Sequence, residues 1–287
     1  MADALEPAQW RKRAQIELSA AAAPLPDSMY WQTSPELRVE LSTFMVGRLT
    51  ECPASALAAE EEGFEWAASL AARRLATATL AEMAERGGHP VAVLLDVVER
   101  MGDQQEGSLG QWLNGLPAGG RVAVIRAASA QLVSTRNLLA QWPPAAGFDP
   151  LPLQWTLAGR PVLVKATAAL LSRSAGRVDR LGVVLGGTPT PARARHEAGH
   201  LALATTLAHG VGPRSILLLW PTTGTRELIP VDNALLDAAL GRCVDALAQV
   251  VGHRELIAAE RRPGRHCHRC AIAADCLVAQ PLPPSAY

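Results

Sequence analysis

The chain of 287 residues is long enough for one large domain or two small ones, and its 49% apolar and 19% charged residues exclude a disordered protein. Its 27 basic and 27 acidic side chains cancel to a formal net charge of zero, so binding to nucleic acid requires a local basic patch. Five cysteines without a dense disulfide framework are typical of a reducing cytoplasm. No strongly apolar run reaches the roughly 18 residues of a membrane span, so we expect a cytoplasmic protein without membrane contact.

The first half of the chain is predicted to be mostly helical. Residues 1–36 contain an Ala- and Pro-rich run and are interpreted as an N-terminal arm. A short strand is predicted over 37–41, and Ser42 is placed to cap a helix that ends at Cys52. Helical patterns then follow over 54–86, 91–101 and 121–142, separated by Gly and Pro breaks and by a loop around Trp112. The region 37–150 is therefore expected to be a helical unit.

The second half has the pattern of an α/β core. Strands are predicted over 153–157, 161–171, 177–185, 215–220 and 226–231. A helix over 192–209, ended by Gly210, and a second helix over 233–251 complete the pattern. Strands, a helix, a hairpin and a last helix predict an α/β fold for residues 151–280, followed by a tail over 281–287.

Four cysteines lie near the two ends of the chain. Cys267, Cys270 and Cys276 have the spacing Cys-x2-Cys-x5-Cys, and Cys52 stands before a proline more than two hundred residues upstream. Four thiolates can hold one metal centre, which would join the two ends of the chain. The spacing favours an iron–sulfur cluster over zinc, because zinc sites are usually built from two close pairs of ligands.

Zinc stays open as the alternative at this motif, because His266 and His268 flank Cys267 and can join a zinc site. A metal that closes so long a loop would have a structural role, since the loop is entropically costly to close. The fifth cysteine, Cys243, falls on an apolar stripe of a predicted helix and is interpreted as a small buried hydrophobic residue.

Three stretches carry a resemblance to a known family. Residues 41–53 begin with Leu-Ser-Thr-Phe and end with Cys-Pro, residues 209–251 have a core hairpin and a last helix, and residues 263–276 read Pro-Gly-x-x-Cys-x2-Cys-x5-Cys. Together they resemble the RecB-type branch of the PD-(D/E)XK nuclease superfamily, and most closely its iron–sulfur members such as the AddB nuclease domain and CRISPR-associated exonucleases.

The resemblance implies a PD-(D/E)XK (restriction-endonuclease-like) core with a helical N-terminal region and a C-terminal Cys cluster. It also implies that one [4Fe–4S] cluster is held by Cys52, Cys267, Cys270 and Cys276. Such a nuclease holds a divalent metal with an Asp in a Gly-x-x-Asp turn and with an Asp/Glu-x-Lys strand, and a helix with Gln and Tyr follows.

Most of these catalytic residues are missing. The expected acid–x–lysine strand, residues 182–187, has neither an acid nor a lysine. A Gly-x-x-Asp string at 176–179 leaves Asp179 alone, and an alternative register at 165–169 loses even this Asp. One carboxylate holds magnesium poorly, so we expect a nuclease fold that has lost catalysis. An active exonuclease with a rearranged site on Asp179 and Glu197 is the second hypothesis.

A group of arginines falls near the expected cleft and forms the candidate nucleic-acid patch. The group consists of Arg173, Arg177, Arg180, Arg193 and Arg195. Forked guanidinium donors bind phosphates well, and a merely solvated face is the alternative. These residues predict a non-catalytic subunit of a DNA repair, recombination or defence complex, with DNA or a protein as its partner.

A third hypothesis comes from a literal His-Glu-x-x-His motif formed by His196, Glu197 and His200. On a helix the two histidines lie one turn apart and can bind zinc, while the glutamate acts as general base on the bound water. The string resembles FtsH-type zinc peptidases, and Asp232 or Asp237 would supply the third ligand. In the simpler alternative both histidines are helix residues without a metal.

Overall fold

The computed structural model describes residues 7–25, 38–61, 65–102, 108–140, 151–174 and 177–254, and, near the C-terminus, 259–264, 266–267, 270, 272–276 and 278. The helices are α1 (Pro7–Ala21), α2 (Thr43–Glu51), α3 (Pro53–Glu61), α4 (Ala68–Arg86), α5 (Pro90–Gly102), α6 (Leu109–Gly115), α7 (Ala118–Leu139), α8 (Pro191–His209) and α9 (Asn233–Arg254). The strands are β1 (Val39–Ser42), β2 (Leu151–Thr156), β3 (Val162–Ala168), β4 (Leu170–Ser174), β5 (Arg177–Val184), β6 (Ser215–Trp220) and β7 (Thr225–Pro230). The fold class is α/β, as the sequence predicts.

Two mixed sheets form the framework. The first has the order β1-β3-β2 and the second has the order β4-β5-β6-β7. Only Ala169 separates β3 from β4, so one extended segment passes from the first sheet into the second. Strands β5 and β6 are parallel, and α8 is the crossover that such a pair requires.

Helix α8 lies at the centre of the core, where it contacts β2, β3, β6 and α9. Its bounds follow from local chemistry: the Thr190 hydroxyl accepts a hydrogen bond from the Arg193 backbone N–H, Pro191 occupies the first turn, and Gly210 ends the helix at φ 75°. All six residues of β6 are buried, which is typical of a strand covered on both faces.

The N-terminal segment is part of the core. Trp10, Ala14 and Leu18 recur every four residues on α1 and are fully buried. The Trp10 indole N–H donates to Asp237 Oδ1 on α9 at 3.1 Å. The expectation of an N-terminal arm over 1–36 is therefore wrong for residues 7–25, because the apolar spacing there outweighs the Ala- and Pro-rich composition. The rest of that range and the tail over 281–287 lie outside the described residues.

The expected division at residue 150 passes through one sheet, because β1 pairs with β3 in register from Val39 opposite Val162 to Ser42 opposite Lys165. Helices α4 to α7 do have a hydrophobic cluster of their own, as expected for a helical region. The short segment that holds Trp112, predicted to lie within a loop over 107–120, is the short helix α6. None of the helices in the described part of the chain has the length and apolar content needed to cross a lipid bilayer.

If α1 is part of the core, the substitution Leu18→Ala destabilises the protein. Leu18 is 0% exposed, and we expect a loss of about 2–5 kcal/mol in the free energy of unfolding, from lost apolar contact and from the cavity left behind. The measurement is urea denaturation followed by circular dichroism. Ile16→Ala is the matched control on the same helix, since Ile16 is 60% exposed and its loss is expected to stay below about 0.5 kcal/mol. Equal midpoints for the two variants would contradict the packing of α1.

Candidate functional site

A cleft of about 480 Å³ lies beside the segment where the chain passes from the first sheet to the second. Its walls come from the start of α2, from α4, from β2, from the end of β3 and from the end of β5. The lining residues are Ser42, Thr43, Phe44, Leu70, Arg73, Arg74, Thr77, Pro152, Gln154, Lys165, Ala166, Thr167, Ala168, Ala169, Val183 and Val184. The cleft therefore collects side chains from segments that are far apart in the sequence.

The strand register explains why these segments meet. On β3, Lys165 lies opposite Ser42 of β1 on one side and opposite Gln154 of β2 on the other. The Ala169 backbone N–H then donates to the Gly182 carbonyl at 2.8 Å, which joins the end of β3 to β5. The alternative turn at 165–169 and the predicted acid–x–lysine strand thus line one cleft. Both lack a carboxylate, and no Asp or Glu is among the described residues that line this cleft.

Three cations line the cleft: Arg73, Arg74 and Lys165. Burial lowers the pKa of Arg73 below its usual value; the neighbouring Glu197 opposes this shift and Arg193 adds to it. Gly186 lets the Arg73 side chain approach the backbone, since a Cβ there would lie 2.8 Å from Arg73 Nη1.

Two of these cations differ in how they are compensated. Lys165 Nζ forms an ion pair with Glu40 Oε2, and both side chains are partly exposed. Arg74 is exposed to solvent. The described lining of the cleft thus combines cations, hydroxyl groups and apolar side chains, and Glu40, the partner of Lys165, is not part of it. Such a surface suits an anion better than a divalent metal.

Asp179, the first candidate catalytic residue, does not line this cleft. Its Oδ1 lies 3.2 Å from Arg214 Nε and its Oδ2 lies 3.5 Å from Arg180 Nε, and its carbonyl accepts the Arg214 backbone N–H at 2.7 Å. It precedes Val184 by five residues, or about 17 Å along the strand. These contacts join the beginning of β5 to the residue that precedes β6, so they give Asp179 a structural role.

Glu197, the second candidate, lies on α8 with its Oε1 3.7 Å from Arg193 Nε and with Arg73 nearby. Asp179 lies near the beginning of β5, whereas Glu197 lies in the second turn of α8, which follows the other end of β5. Among the described residues, no three His, Cys, Asp or Glu side chains converge in a group that could hold a metal ion.

The five arginines predicted as a nucleic-acid patch fall into two groups. Arg173, Arg177 and Arg180 belong to the hairpin end of β4 and β5, where Arg173 pairs with Val178 and Arg180 with Ser172. Arg193 and Arg195 lie in the first turns of α8, beyond the other end of β5. The two groups are separated along β5, whose eight residues span about 26 Å. The five arginines therefore do not form the single cluster that the sequence predicts. The side chains of Arg173 and Arg177 lie outside the described residues.

The histidines of the His-Glu-x-x-His motif are in contact with backbone carbonyls. His196 Nε2 lies 2.9 Å from the Thr43 carbonyl, and His200 Nε2 lies 3.0 Å from the Lys165 carbonyl. A carbonyl only accepts, so each Nε2 carries the proton and donates. His200 Nδ1 also lies 3.7 Å from Cys243 Sγ. The Nε2 atoms that donate in this way have no lone pair for zinc, so only the Nδ1 atoms could bind a metal, and that of His200 faces Cys243.

The carboxylates proposed as third zinc ligands have other partners. Asp232 Oδ1 accepts the Leu235 backbone N–H at 2.7 Å in the first turn of α9. Asp237 Oδ1 accepts hydrogen bonds from Trp10 and from Arg13. Cys243 is fully buried, as the sequence predicts, and burial raises the pKa of its thiol to about 12. All of these groups stabilise the packing of α1, α8 and α9.

The two histidines of the motif each donate to a residue that lines the cleft, and the charge of Glu197 acts on a third. His196 donates to Thr43, His200 donates to Lys165, and Glu197 lies near Arg73. One face of α8 thus positions the start of α2, the end of β3 and α4 around the cleft. We call these two hydrogen bonds, together with the electrostatic interaction between Glu197 and Arg73, the α8 clamp.

The cysteines predicted as cluster ligands come from two segments that contact each other. Cys52 follows α2, and its Sγ lies 3.5 Å from the Arg262 backbone N–H. The Ala54 N–H donates to the Glu260 carbonyl at 3.1 Å, and Arg262 Nη1 donates to the Thr50 carbonyl at 2.8 Å. The segment that leads to the C-terminal cysteines is therefore docked on the junction of α2 and α3.

The C-terminal cysteines follow in a compact turn. The Gly264 N–H donates to Cys267 Sγ at 3.3 Å, and successive turn hydrogen bonds connect Cys267, Cys270, Ala273 and Cys276. All four predicted ligands are free thiols; Cys52 and Cys267 are buried and the other two are half-buried. Cys52 and Cys267 thus accept N–H groups from Arg262 and Gly264, which are only two residues apart, and such hydrogen bonds orient the sulfur atoms of metal ligands.

Sequence reasoning missed Phe44, Arg73 and Arg74 as members of a site. Phe44 follows a helix cap and the two arginines lie within a long helical pattern, so each has an ordinary local role. The only local signal was a pair of consecutive arginines on a helix that is otherwise rich in alanine. No protein-family model matches the chain, and no curated protein matches it significantly.

The buried His200 makes stability depend on pH. Burial lowers its pKa from 6.5 to about 4 in the folded protein, so the unfolded chain takes up the proton first as the pH falls. The stabilisation is present above the unfolded pKa and is lost as the pH falls from 6.5 toward 4. Between pH 7 and pH 5 we expect the wild type to lose about 2 kcal/mol more of its unfolding free energy than His200→Gln.

The measurement for His200 is urea denaturation at each pH, and the slopes with pH are compared rather than the absolute stabilities. His209→Gln is the matched control, since His209 is exposed at the end of the same helix. Parallel profiles for the wild type and His200→Gln would contradict a neutral, buried imidazole.

Proposed function

We propose that this protein is a non-catalytic nucleic-acid-binding protein with a RecB-like nuclease fold and a structural [4Fe–4S] cluster. The observation that carries the proposal is the cleft beside the junction of the two sheets. It is lined by Arg73, Arg74 and Lys165 and, among the described residues, by no carboxylate. A surface of this kind attracts phosphates and lacks the ligands that a catalytic magnesium requires.

The topology supports the resemblance to the nuclease fold. An antiparallel β2–β3 pair, the continuation of the chain into β4 and β5, the crossover helix α8 and the parallel β6 follow in the order expected for such a core. The segments 165–169 and 182–187, which the resemblance identifies as the metal-binding segments, line the same cleft. These segments contain Ala, Thr, Val and Gly where a nuclease needs carboxylates, which supports a protein that binds its ligand without cleaving it.

The free thiols of the docked segments fit an iron–sulfur cluster. Cys52, Cys267, Cys270 and Cys276 would hold it, and the N–H groups of Arg262 and Gly264 already point to two of the sulfur atoms. When bound, the cluster supplies iron–thiolate bonds between the two ends of the chain. Arg262 fastens the C-terminal segment to the Thr50 carbonyl independently of the thiols.

Iron analysis tests the cluster. We expect anaerobically purified protein to contain about four irons per chain and to show a brown absorption that reduction bleaches. Cys52→Ser and Cys267→Ser are each expected to lose this iron, because a cluster needs all of its thiolates. Cys243→Ala, which removes a buried thiol outside the predicted ligand set, is the control and retains the iron. Stoichiometric zinc in place of iron, or full iron in Cys52→Ser, would contradict the cluster.

Equilibrium binding to fluorescein-labelled DNA oligonucleotides tests the function. Each lost phosphate contact is expected to weaken binding roughly 10-fold at about 0.1 M salt and to lower the salt slope by about one. The double variant Arg73→Gln/Arg74→Gln should show both effects, with its fold checked by circular dichroism. Arg126→Gln, an exposed arginine on α7, is the control and keeps wild-type binding.

The same oligonucleotides incubated with Mg²⁺ or Mn²⁺ test the absence of catalysis. We expect no cleavage, because the described residues that line the cleft include no carboxylate pair. Cleavage that Asp179→Ala abolishes would replace the proposal with the exonuclease hypothesis. Absence of any DNA binding by the wild-type protein would overturn the proposed function.

A further inference from the structure

The cleft has an exposed aromatic side chain at its edge. Phe44, in the first turn of α2, is 71% exposed. Among the described residues, the other strongly exposed large apolar side chains are aliphatic. The Ser42 hydroxyl caps this turn by accepting the Met45 N–H at 3.2 Å. Phe44 therefore stands on a fixed helix end and still presents its ring to solvent.

A cation supports the ring. The Arg48 guanidinium carbon lies 5.4 Å from the ring centroid of Phe44, within the range of a cation–π contact. Arg48 Nη2 also donates to the Ser55 carbonyl at 3.2 Å, so its guanidinium is held in place from the other side. The ring is thus oriented by its own helix, and most of its surface remains available to a ligand.

The position of Phe44 relative to the cations is also fixed. It adjoins Thr43, whose carbonyl accepts the His196 hydrogen bond, and Lys165 accepts the equivalent bond from His200. The aromatic wall and the basic wall are therefore both held by α8. A rigid aromatic face next to cations is the combination with which proteins bind single strands: bases stack on the ring while phosphates contact the cations.

We propose that the cleft binds single-stranded DNA, with one base stacked on Phe44 and the adjacent phosphates on Arg73, Arg74 and Lys165. This inference rests on the proposed function and specifies its ligand. A duplex keeps its bases stacked inside the helix, so it can reach the cations but gains nothing from the ring unless a base is flipped out. The cleft volume of about 480 Å³ lies within the range of small-ligand pockets and suits individual nucleotides.

The experiment compares an oligo(dT) strand with a hairpin duplex of the same label, by fluorescence anisotropy at fixed salt. Phe44→Leu keeps an apolar side chain but removes the ring. For the single strand we expect a loss of roughly 5- to 100-fold in affinity, the range measured for one base–aromatic stack. The duplex affinity is expected to change less than about two-fold. Phe44→Trp should retain or improve single-strand binding, and Val122→Ala, an exposed apolar residue on α7, should change neither.

The outcomes separate the two proposals. Wild-type single-strand affinity in Phe44→Leu, or an equal loss on both ligands, would overturn this inference, while the effect of Arg73→Gln/Arg74→Gln would still support nucleic-acid binding. A wild-type protein that binds neither ligand would overturn both. Loss on the single strand alone, with rescue by Phe44→Trp, supports stacking, because a merely structural role of the ring would weaken both ligands together.

Discussion

The α8 clamp is the interaction on which the rest of the site depends. Helix α8 packs against β2, β3, β6 and α9. Its polar side chains form hydrogen bonds to neighbouring elements. His196 and His200 donate to the carbonyls of Thr43 and Lys165, and Glu197 lies beside Arg73. Burial keeps His200 neutral by lowering its pKa. The His-Glu-x-x-His motif, which from the sequence alone is a candidate zinc site, thus forms hydrogen bonds to two backbone carbonyls in the folded protein.

A second constraint joins the two ends of the chain. The C-terminal segment is docked on the α2–α3 junction through Arg262 and the Ala54 N–H, and α1 is packed on α9 through Trp10. Both contacts stabilise α2, which carries one wall of the cleft, through α9 and the neighbouring core. An iron–sulfur cluster on the four thiols would add covalent character to a junction that hydrogen bonds already form, and would reduce the entropy of the unfolded chain.

The charge distribution is compatible with the proposed binding of nucleic acid by a protein of zero net charge. Its basic and acidic residues balance overall, but the described residues that line the cleft include three cations and no carboxylate, together with hydroxyl groups, Phe44 and small apolar side chains. The charge around the cleft is therefore locally positive although the net charge of the chain is zero. Under the proposed function, the described residues of such a cleft attract phosphates but include no carboxylate to hold a hydrolytic metal.

Local chemistry allowed the sequence to predict the Ser42 cap, the end of α8 at Gly210, the buried β6 and the burial of Cys243, because each depends on a few neighbouring residues. The packing of α1 was missed, since a weak apolar spacing becomes decisive only when α9 is there to bury it. The separation of the five arginines followed from the length of β5. The cleft itself was decided by tertiary structure alone: Phe44, Arg73 and Lys165 belong to three distant segments, and only strand register and the burial of α8 bring them to one surface.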